Sequence, residues 1–495
     1  MGLDVGTTGV KAAVFDETGK IRGYGFEEYD IIKGGDGIAE QDAEAVWRAC
    51  KRVIAKAAGE VEDEVKAICA SVQGDAVIPI SNSREALAPA QLGMDYRGKE
   101  ETEYCESLFG SRELFNLTGI RPHPLNSIVK ILRYKRKQPE FYEKSWKFVT
   151  YSDFIMGKLG SDEMVIDRAM ASRTMAYDRE KQDWSDEILQ KLSIDRWKLS
   201  DIVKPGEIVG KIPPKLAGEL NLGNNVSIVA GGHDQTCAAF GAGLVKKDLA
   251  LDSHGTAEVI SAAFTEPLSN DVMYASYYPC YNHVVEGMFF TFALNHTGGI
   301  SLKWFMDTFF NREIDEALAL GINPYDMVMN KAEASKASLI FLPHFNGSGT
   351  PTCRLEEKGV IVGLTLATSK GDIARAIVES LAYEMRLNIE TMKTAGVSIS
   401  SLRCVGGGAR SPFGIQLKAD ITGLPISTLK VREAACLGAG LLAAMATGSF
   451  SNALQASEAV FVEETIFPME AKERYYNEMY EKYLKVYQSI GNIVI

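Results

Sequence analysis

The sequence has no hydrophobic run long enough to cross a membrane, although 46% of its 495 residues are hydrophobic. Its longest nearly apolar stretch, residues 436–448, is shorter than the about 20 residues that a spanning helix needs. Blocks of basic residues are also missing, and the formal net charge is −12. Because phosphate backbones are bound by clustered Lys and Arg, we expect neither a membrane nor a nucleic acid as partner. A small nucleotide remains possible, since backbone N–H groups can hold its phosphates.

Cysteine patterns typical of metal sites are absent as well. The eight cysteines are scattered, with no Cys-x-x-Cys pair and no cluster with histidine. This spacing argues against a structural zinc site. Neither a basic nor an apolar segment precedes the first predicted strand, so we predict no secretory signal and expect a cytoplasmic protein with reduced thiols.

The common nucleotide-binding motifs are missing or incomplete. The P-loop pattern G-x-x-x-x-G-K-[ST] does not occur. Residues 438–443 fit G-x-G-x-x-A, but EAAC precedes them where the dinucleotide fingerprint requires a strand. We interpret these glycines as small residues that let a helix approach its neighbour.

What the sequence does contain is an α/β pattern in both halves. A predicted hairpin, a charged helix and an apolar strand follow one another over residues 1–74, and strands and helices alternate again after residue 226. A chain of this length is too long for one core. We predict two domains, residues 1–243 and 244–495, the first with a helical insertion at about 122–200.

Three glycine-centred turns are candidates for binding phosphate. They are residues 6–9 (GTTG), Gly255-Thr256 and residues 406–409 (GGGA). Glycine leaves room for a ligand against the backbone, and threonine adds a hydroxyl donor. The first two follow similar strands that carry an acid, Asp4 and Asp252, near the start of each half. This repetition favours a nucleotide gripped between two domains.

These turns belong to motifs that resemble those of the FGGY carbohydrate kinases, relatives of actin, hexokinase and the heat-shock chaperone ATPases. The motifs are LDVGTTGVKAAVFDETG (3–19), GGHDQ (231–235), LDSHGTAEV (251–259) and GGGARSPFGIQLKADITGLPI (406–426). The resemblance covers nearly the whole chain. It implies an α/β fold of two actin-like (ribonuclease H-like) ATPase domains with an interdomain cleft. It also implies an ATP-dependent kinase for a small ketose or polyol, with a xylulose-like pentulose favoured.

The resemblance implies a role for individual residues. Asp234 becomes the general base that accepts the proton of the attacking sugar hydroxyl, and Asp4 the residue that holds Mg²⁺ through water. The implied nucleotide-binding residues are Thr7, Thr8, Lys11, Gly255, Thr256, Gly299, Gly407, Gly408 and Ala409. The implied acceptor-binding residues are Gln73, Asp75, Asp95, Arg97 and Gln235. ATP and Mg²⁺ are therefore the expected cofactors.

The acceptor motif departs from the better-known relatives. Glycerol kinases carry Gln-Arg-Glu and xylulose kinases Gln-Met-His where this chain reads Gln73-Gly74-Asp75. The glycine opens space, and the added carboxylate can accept hydrogen bonds from sugar hydroxyls. The substrate of a relative is therefore not transferred directly to this chain.

Structural roles remain open for several of these residues. Asp234 could cap a turn, Lys11 could be a solvated strand lysine, and Asp95 with Arg97 could form a surface ion pair. His233 and His254 lie within site motifs without other metal-type ligands at suitable spacing, which favours hydrogen bonding or packing.

Two other function classes remain open beside the kinase. One is an actin-like or chaperone-like ATPase that acts on a partner, and the other is a sugar sensor that binds without turnover. The retention of Asp4 and Asp234 counts against the sensor. For the oligomeric state we expect a homodimer.

Overall fold

The computed structural model describes residues 1–336 and 338–490, without the side chain of residue 36. Two mixed β-sheets, one in each half of the chain, form its framework. Helices pack against both sheets. This arrangement agrees with the α/β pattern expected in each half.

The first sheet has six strands, and its buried strands match the continuous apolar runs of the sequence. The strands are β1 (Gly2–Val5), β2 (Gly9–Phe15), β3 (Ile21–Glu28), β4 (Ala67–Val72), β5 (Ile208–Lys211) and β6 (Ser227–His233). Their order across the sheet is β5-β6-β4-β1-β2-β3. Strands β1, β4 and β6 are parallel, and every residue of β4 and β6 is buried. Continuous apolar runs are typical of such parallel strands, which are covered on both faces.

The second sheet has seven strands. They are β7 (Asp248–His254), β8 (Glu258–Phe264), β9 (Tyr281–Asn282), β10 (Phe289–Asn295), β11 (Ile399–Gly406), β12 (Ile426–Leu429) and β13 (Val462–Ile466). Their order is β9-β10-β8-β7-β11-β12-β13. In the first sheet β1, β2 and β3 are antiparallel neighbours, β4 and β6 run parallel to β1, and the edge strand β5 is antiparallel to β6. The second sheet repeats this pattern with β7, β8 and β10, then β11 and β12, and the antiparallel edge strand β13, and it adds β9 beside β10. The β1–β2 and β7–β8 turns occupy equivalent places in the two sheets.

Seven helices bear on the site or the core. They are α1 (Ala43–Gly59), α2 (Asp234–Gly241), α3 (Ile300–Phe309), α4 (Lys370–Thr394), α5 (Pro412–Thr422), α6 (Ala434–Ala446) and α7 (Glu470–Ile490). Asp42 caps α1 by accepting a hydrogen bond from Ala45 N, and Ser369 and Asp372 form a capping box at α4.

The remaining elements lie in connections. The other helices are Lys99–Phe109, Ser111–Thr118, Ser127–Lys137, Pro139–Lys144, Tyr151–Leu159, Arg168–Ala171, Asp186–Lys191, Pro214–Glu219, Asp271–Ala275, Asn311–Ala319, Pro324–Ala334 and Ala453–Ala456. Short strands are Ile32–Lys33, Ala39–Gln41, Ile78–Ile80, Ala90–Gln91, Lys147–Val149, Val165–Asp167, Tyr177–Asp178, Asp183–Trp184, Asp201–Val203, Ile340–Leu342 and Val360–Val362. The helical segment of the first half therefore begins at Lys99, earlier than the predicted 122, and it includes short strands.

Helix α6 comes from the second half of the sequence but packs on the first sheet and on α2. Glycines of both helices make the approach to α2 possible. A Cβ at Gly438 would lie 1.9 Å from the carbonyl oxygen of Cys237, and one at Gly241 would lie 1.8 Å from that of Ala434. The glycines of the G-x-G-x-x-A segment thus serve close helix packing, as predicted.

Within residues 1–336 and 338–490, no helix combines the length and the apolar character that crossing a bilayer requires.

Candidate active site

The β1–β2 turn presents backbone N–H groups rather than carbonyls. Its carbonyl oxygens are occupied: Gly6 O accepts from Tyr29 Oη at 2.6 Å, Thr7 O from Gln41 Nε2 at 2.9 Å, and Thr8 O from Tyr29 N at 3.1 Å. No other described residue hydrogen-bonds to the N–H groups or hydroxyls of Thr7 and Thr8. A turn with free donors and occupied acceptors can bind an anion.

Asp4 lies at the end of β1, half-buried beneath this turn, and accepts a hydrogen bond from Ser71 Oγ at 3.0 Å. Burial raises the pKa of Asp4. Lys11 on β2 is ion-paired with Glu433, with 2.6 Å between Nζ and Oε2. Burial would lower the pKa of Lys11, but this ion pair outweighs it and raises the pKa. The lysine is thus neither a freely solvated strand residue nor free to contact phosphate in this conformation.

Asp234 is positioned by an irregularity at the end of β6. The pairing of β6 with β4 shifts register between Val229 and Gly232, and a Cβ at Gly231 would lie 1.8 Å from Ala70 O. Such bulges redirect the chain near active sites. The next residues are His233, the last of β6, and Asp234, the first of α2. The carboxylate therefore stands where a parallel strand ends and a helix begins, a usual ligand position in α/β sheets.

Asp234 is an unusual carboxylate. Burial raises its pKa to about 7, with a further increase from the nearby negative charge of Asp4. Its Oδ1 is buried and has no hydrogen-bond partner among the described residues. His233 Nε2 lies 3.1 Å from that oxygen, and burial together with Arg173 holds the pKa of His233 well below its usual range. The neighbouring imidazole is therefore neutral and supplies no charge to Asp234.

Asp75 and Arg173 form a buried ion pair on the acceptor side. The Arg173 guanidinium bonds to Asp75 Oδ2 and lies over the rings of Tyr281 and Phe292, with its Cζ 5.1 and 5.6 Å from their centroids. Asp75 Oδ1 and Arg173 Nε are buried without partners among the described residues. Asp75 also has φ = 65°, a left-handed conformation that is uncommon for a non-glycine residue and often found at functional sites. The pair thus offers one free acceptor and one free donor.

The other predicted acceptor residues have different surroundings. Gln73 donates to Gly6 O at 3.2 Å and to Gln41 Oε1 at 3.1 Å, so its amide supports the first turn. Gln235 Oε1 is buried without a partner among the described residues.

Asp95 and Arg97 are engaged with each other. Arg97 Nε lies 2.9 and 3.0 Å from the two carboxylate oxygens of Asp95, and Arg97 Nη2 also bonds to Glu40. Both carboxylates raise the pKa of Arg97 against the effect of burial. In this conformation Nε and Nη2 of Arg97 are engaged within the protein.

The second half contains a cavity of about 690 Å³ that collects most of the predicted nucleotide-binding residues. Gly255, Thr256, Gly299, Gly407 and Gly408 all line it. The other lining residues are His254, Ile300, Lys303, Met306, Asp307, Asn323, Tyr325, Asp326, Arg410 and Ser411. Ala409 is not part of the lining and packs against the core instead. The size and the glycine-rich wall suit a nucleotide.

Beneath this cavity lies a buried cluster of Asp252, His254, Glu258 and Lys418. Lys418 Nζ lies 2.5 Å from Asp252 Oδ2 and 2.6 Å from Glu258 Oε1. The two carboxylates and the imidazole are close enough together to hold a metal ion. The ammonium of Lys418 already occupies their centre, so the positive charge there is supplied by the protein.

Two parts of this site were missed in the sequence. Arg173 and Lys418 reach the site from segments remote from the residues they contact, and only tertiary structure brings them there. A weak signal existed for Lys418, since it follows the apolar residues Ile415 and Leu417 in a helix otherwise suited to burial. The arginine has no comparable local signal.

Comparison with known proteins agrees with this architecture. Residues 1–241 match the family described as FGGY family of carbohydrate kinases, N-terminal domain, and residues 250–447 match its C-terminal domain. The xylulose kinase of Staphylococcus epidermidis is 28% identical over 99% of this chain and 96% of its own. The gluconokinase of Bacillus subtilis is 26% identical over 91% of this chain and 88% of its own.

A solved structure confirms the fold. The ligand-bound xylulose kinase from Lactobacillus acidophilus superimposes with a TM-score of 0.90 at 24% identity, covering 100% of this chain and 98% of its own. The predicted pair of actin-like α/β domains is thereby confirmed. Since the two family matches together span most of the sequence, this chain belongs to the FGGY family of carbohydrate kinases, phosphotransferases that use ATP as donor and an alcohol group as acceptor.

Proposed function

We propose that this protein transfers the γ-phosphate of Mg-ATP to a hydroxyl of a small ketose or polyol, with Asp234 as general base. Two observations on Asp234 support this proposal. One of its carboxylate oxygens is buried without a partner among the described residues, and the pKa of the carboxyl group is about 7. A base is most effective when its pKa lies near the working pH. Asp234 accepts the hydroxyl proton as the sugar oxygen bonds to the γ-phosphorus and the bond to the ADP oxygen breaks.

The residues present fit both ATP and Mg²⁺. The cavity in the second half is lined by Gly255, Thr256, Gly299, Gly407 and Gly408, and the free N–H groups of Thr7 and Thr8 suit phosphate oxygens. Asp4 supplies a hard oxygen donor close enough to Asp234 to raise its pKa. Mg²⁺ held there would supply charge neutralisation for the phosphates. Lys11 and Ala409 remain proposed nucleotide contacts, although neither faces the cavity in this conformation.

Acceptor binding is proposed for Gln73, Asp75, Asp95, Arg97 and Gln235. The unpartnered oxygens of Asp75 and Gln235 can accept hydrogen bonds from sugar hydroxyls. A xylulose-like pentulose is favoured, since xylulose kinases are among the relatives that match nearly the full length.

Replacing Asp234 with Asn tests the assignment of the base. Loss of the proton acceptor is expected to reduce kcat by about 10²–10⁴-fold, while ATP binding stays nearly unchanged. ADP formation with a panel of pentuloses, tetritols, glycerol and gluconate measures turnover, and calorimetry measures ATP affinity. Asp201→Asn, at an exposed residue outside the site, is the matched control and should retain full turnover.

Three outcomes would contradict the proposal. Wild-type turnover in Asp234→Asn would exclude the residue as base. ATP hydrolysis that no sugar stimulates would favour the partner-directed ATPase. Sugar binding without product, seen as thermal stabilisation alone, would favour the sensor.

The remaining features of the enzyme are also proposals. We propose that residues 1–243 together with helix α6 form one domain and the rest of residues 244–495 the other, that the two close over the substrates to exclude water, and that the enzyme is a cytoplasmic homodimer.

A further inference from the structure

The side chain of Gln41 has no role in the function proposed above, yet it is hydrogen-bonded to the β1–β2 turn. The residue is 1% exposed and ends the short strand Ala39–Gln41. Its Nε2 donates to Thr7 O at 2.9 Å. Its Oε1 accepts from Tyr151 Oη at 2.7 Å and from Gln73 Nε2 at 3.1 Å. Both ends of the amide are therefore engaged with groups of the protein.

The partners of this amide fix its orientation. A carbonyl oxygen can only accept a hydrogen bond, so the Gln41 atom that faces Thr7 O is the nitrogen. The other atom is then the oxygen, and it receives a proton from the Tyr151 hydroxyl and one from the Gln73 amide. The Gln73 atom is a nitrogen for the same reason, because it also faces the carbonyl oxygen of Gly6 at 3.2 Å. Each contact thus pairs one donor with one acceptor.

The carbonyl that Gln41 binds lies in the same peptide plane as the Thr8 N–H. A trans peptide is planar, and its C=O and N–H point in opposite directions. The hydrogen bond to Thr7 O therefore aims the Thr8 N–H away from Gln41. The same holds one residue earlier, where Gly6 O accepts from Tyr29 Oη at 2.6 Å and shares its plane with the Thr7 N–H. Both N–H groups are thus held in fixed directions, and no described residue accepts from them.

Little else restrains the peptide between Thr7 and Thr8. Among the described residues, only Gln41 hydrogen-bonds to Thr7 O. Thr8 is exposed, and the two threonines lie between Gly6 and Gly9, which have wide conformational freedom. Without the Gln41 donor this peptide could rotate, and the Thr8 N–H would lose its fixed direction.

We propose that Gln41 is a positioning residue for the phosphate-binding turn, because its hydrogen bond to Thr7 O aims the Thr8 N–H at a phosphate oxygen of the nucleotide. This inference rests on the proposed function, since it requires a phosphate at the turn. It adds a residue that acts through the backbone and does not itself contact the ligand. Tyr151 holds the oxygen end of the same amide.

The test compares ADP with adenosine, which lacks phosphate, by calorimetry. Gln41→Met keeps an unbranched side chain but has no N–H donor. It is expected to weaken ADP binding by about 10-fold, as for loss of a hydrogen bond to a charged group, and to leave adenosine binding unchanged. Gln91→Met is the matched control, since Gln91 is a buried glutamine of the neighbouring strand Ala90–Gln91 and no described hydrogen bond joins its side chain to the turn. This control should bind ADP like the wild type.

The outcomes separate this inference from the function on which it rests. A wild-type protein that binds no ADP would overturn the nucleotide assignment and the inference with it. If the wild type binds ADP and Gln41→Met binds it equally well, the inference alone is overturned. Equal loss of ADP and adenosine, or an equal loss of ADP binding in Gln91→Met, would also overturn it, because the effect would then come from general packing.

A second variant decides the matter if Gln41→Met fails to fold in thermal melts. Gln41→Glu has nearly the same shape, and at pH 8 its ionised carboxylate can accept from Tyr151 and Gln73 but cannot donate to Thr7 O. Weaker ADP binding with adenosine binding retained supports the inference. ADP binding equal to that of the wild type overturns it.

Discussion

The carboxylate of Asp234 ties stability to pH because it is more basic in the folded chain than in the unfolded one. Its pKa is about 7 in the structure and 3.8 in the absence of burial. Between these values the folded state binds the proton that the unfolded state has lost, so stability falls as the pH rises from about 4 to 7. Above pH 7 the buried charge persists, and this cost accompanies a carboxylate that is ready to accept a proton.

Asp234→Asn is therefore expected to be more stable than the wild type at pH 8. The amide is neutral at every pH, so the melting temperature should rise by about 1 °C for each 1 kcal/mol gained in a chain of 495 residues, and the gain should shrink at pH 5. Thermal melts of both proteins at the two pH values measure this. The exposed Asp201→Asn should show no such pH-dependent difference, and a gain at pH 5 that equals the gain at pH 8 would contradict the raised pKa.

The local placement of single residues was predictable from the sequence where it depends on neighbours in the chain, and their roles stay predictions. Asp234 follows a buried strand and a glycine pair, and Thr7 and Thr8 lie between two glycines. The buried ion pair of Asp75 with Arg173 was not predictable, because it joins side chains from two distant segments. Asp95 and Arg97 were predicted as acceptor residues, and that role is still a prediction.

At the scale of elements, the contact between α2 and α6 fixes the position of the strand end that carries Asp234. Helix α2 begins with Asp234 and contains Cys237, whose carbonyl lies against Gly438 of α6. The glycines of residues 438–443 predicted a helix with a close neighbour, whereas the helix α2 was not predicted. The local pattern could not identify that neighbour, because α2 lies about 200 residues earlier in the chain and the strands of the first sheet lie earlier still.

Gly438→Ala is expected to destabilise the protein by about 1–3 kcal/mol, because the new methyl group would overlap a backbone oxygen and force the helices apart. Chemical denaturation measures the change. Gly218→Ala provides the matched control: Gly218 lies in the helix Pro214–Glu219, and a Cβ there would meet no atom within 4 Å. This control should be neutral or more stable by up to about 1 kcal/mol, and similar losses in both variants would contradict the packing argument.

At the scale of the whole molecule, the two halves interlock. Helix α6 covers the first sheet, and Tyr281 of the second sheet contacts the first half, with its hydroxyl 3.1 Å from His233 Nδ1. The similarity of the two glycine turns in the sequence indicated that the two halves repeat a strand pattern. The packing of α6 on the first sheet was not predicted, because the predicted boundary at residue 243 assigns this helix to the second domain.

A fragment of residues 1–243 is therefore expected not to fold by itself. Without α6, one face of its sheet around β1, β2 and β4 would be exposed to water. Circular dichroism during thermal unfolding and size-exclusion chromatography measure this, with the full chain as control. A monomeric fragment with a cooperative transition close to that of the full chain would contradict the prediction.

The late position of α6 also matters while the protein is being made. Residues up to Gly241 leave the ribosome long before Ala446 is added, with roughly 200 residues between them. At a synthesis rate of about 5–20 residues per second, the first half waits some 10 to 40 s for its covering helix. During that interval the nascent chain displays an incomplete apolar face, the kind of surface that molecular chaperones bind.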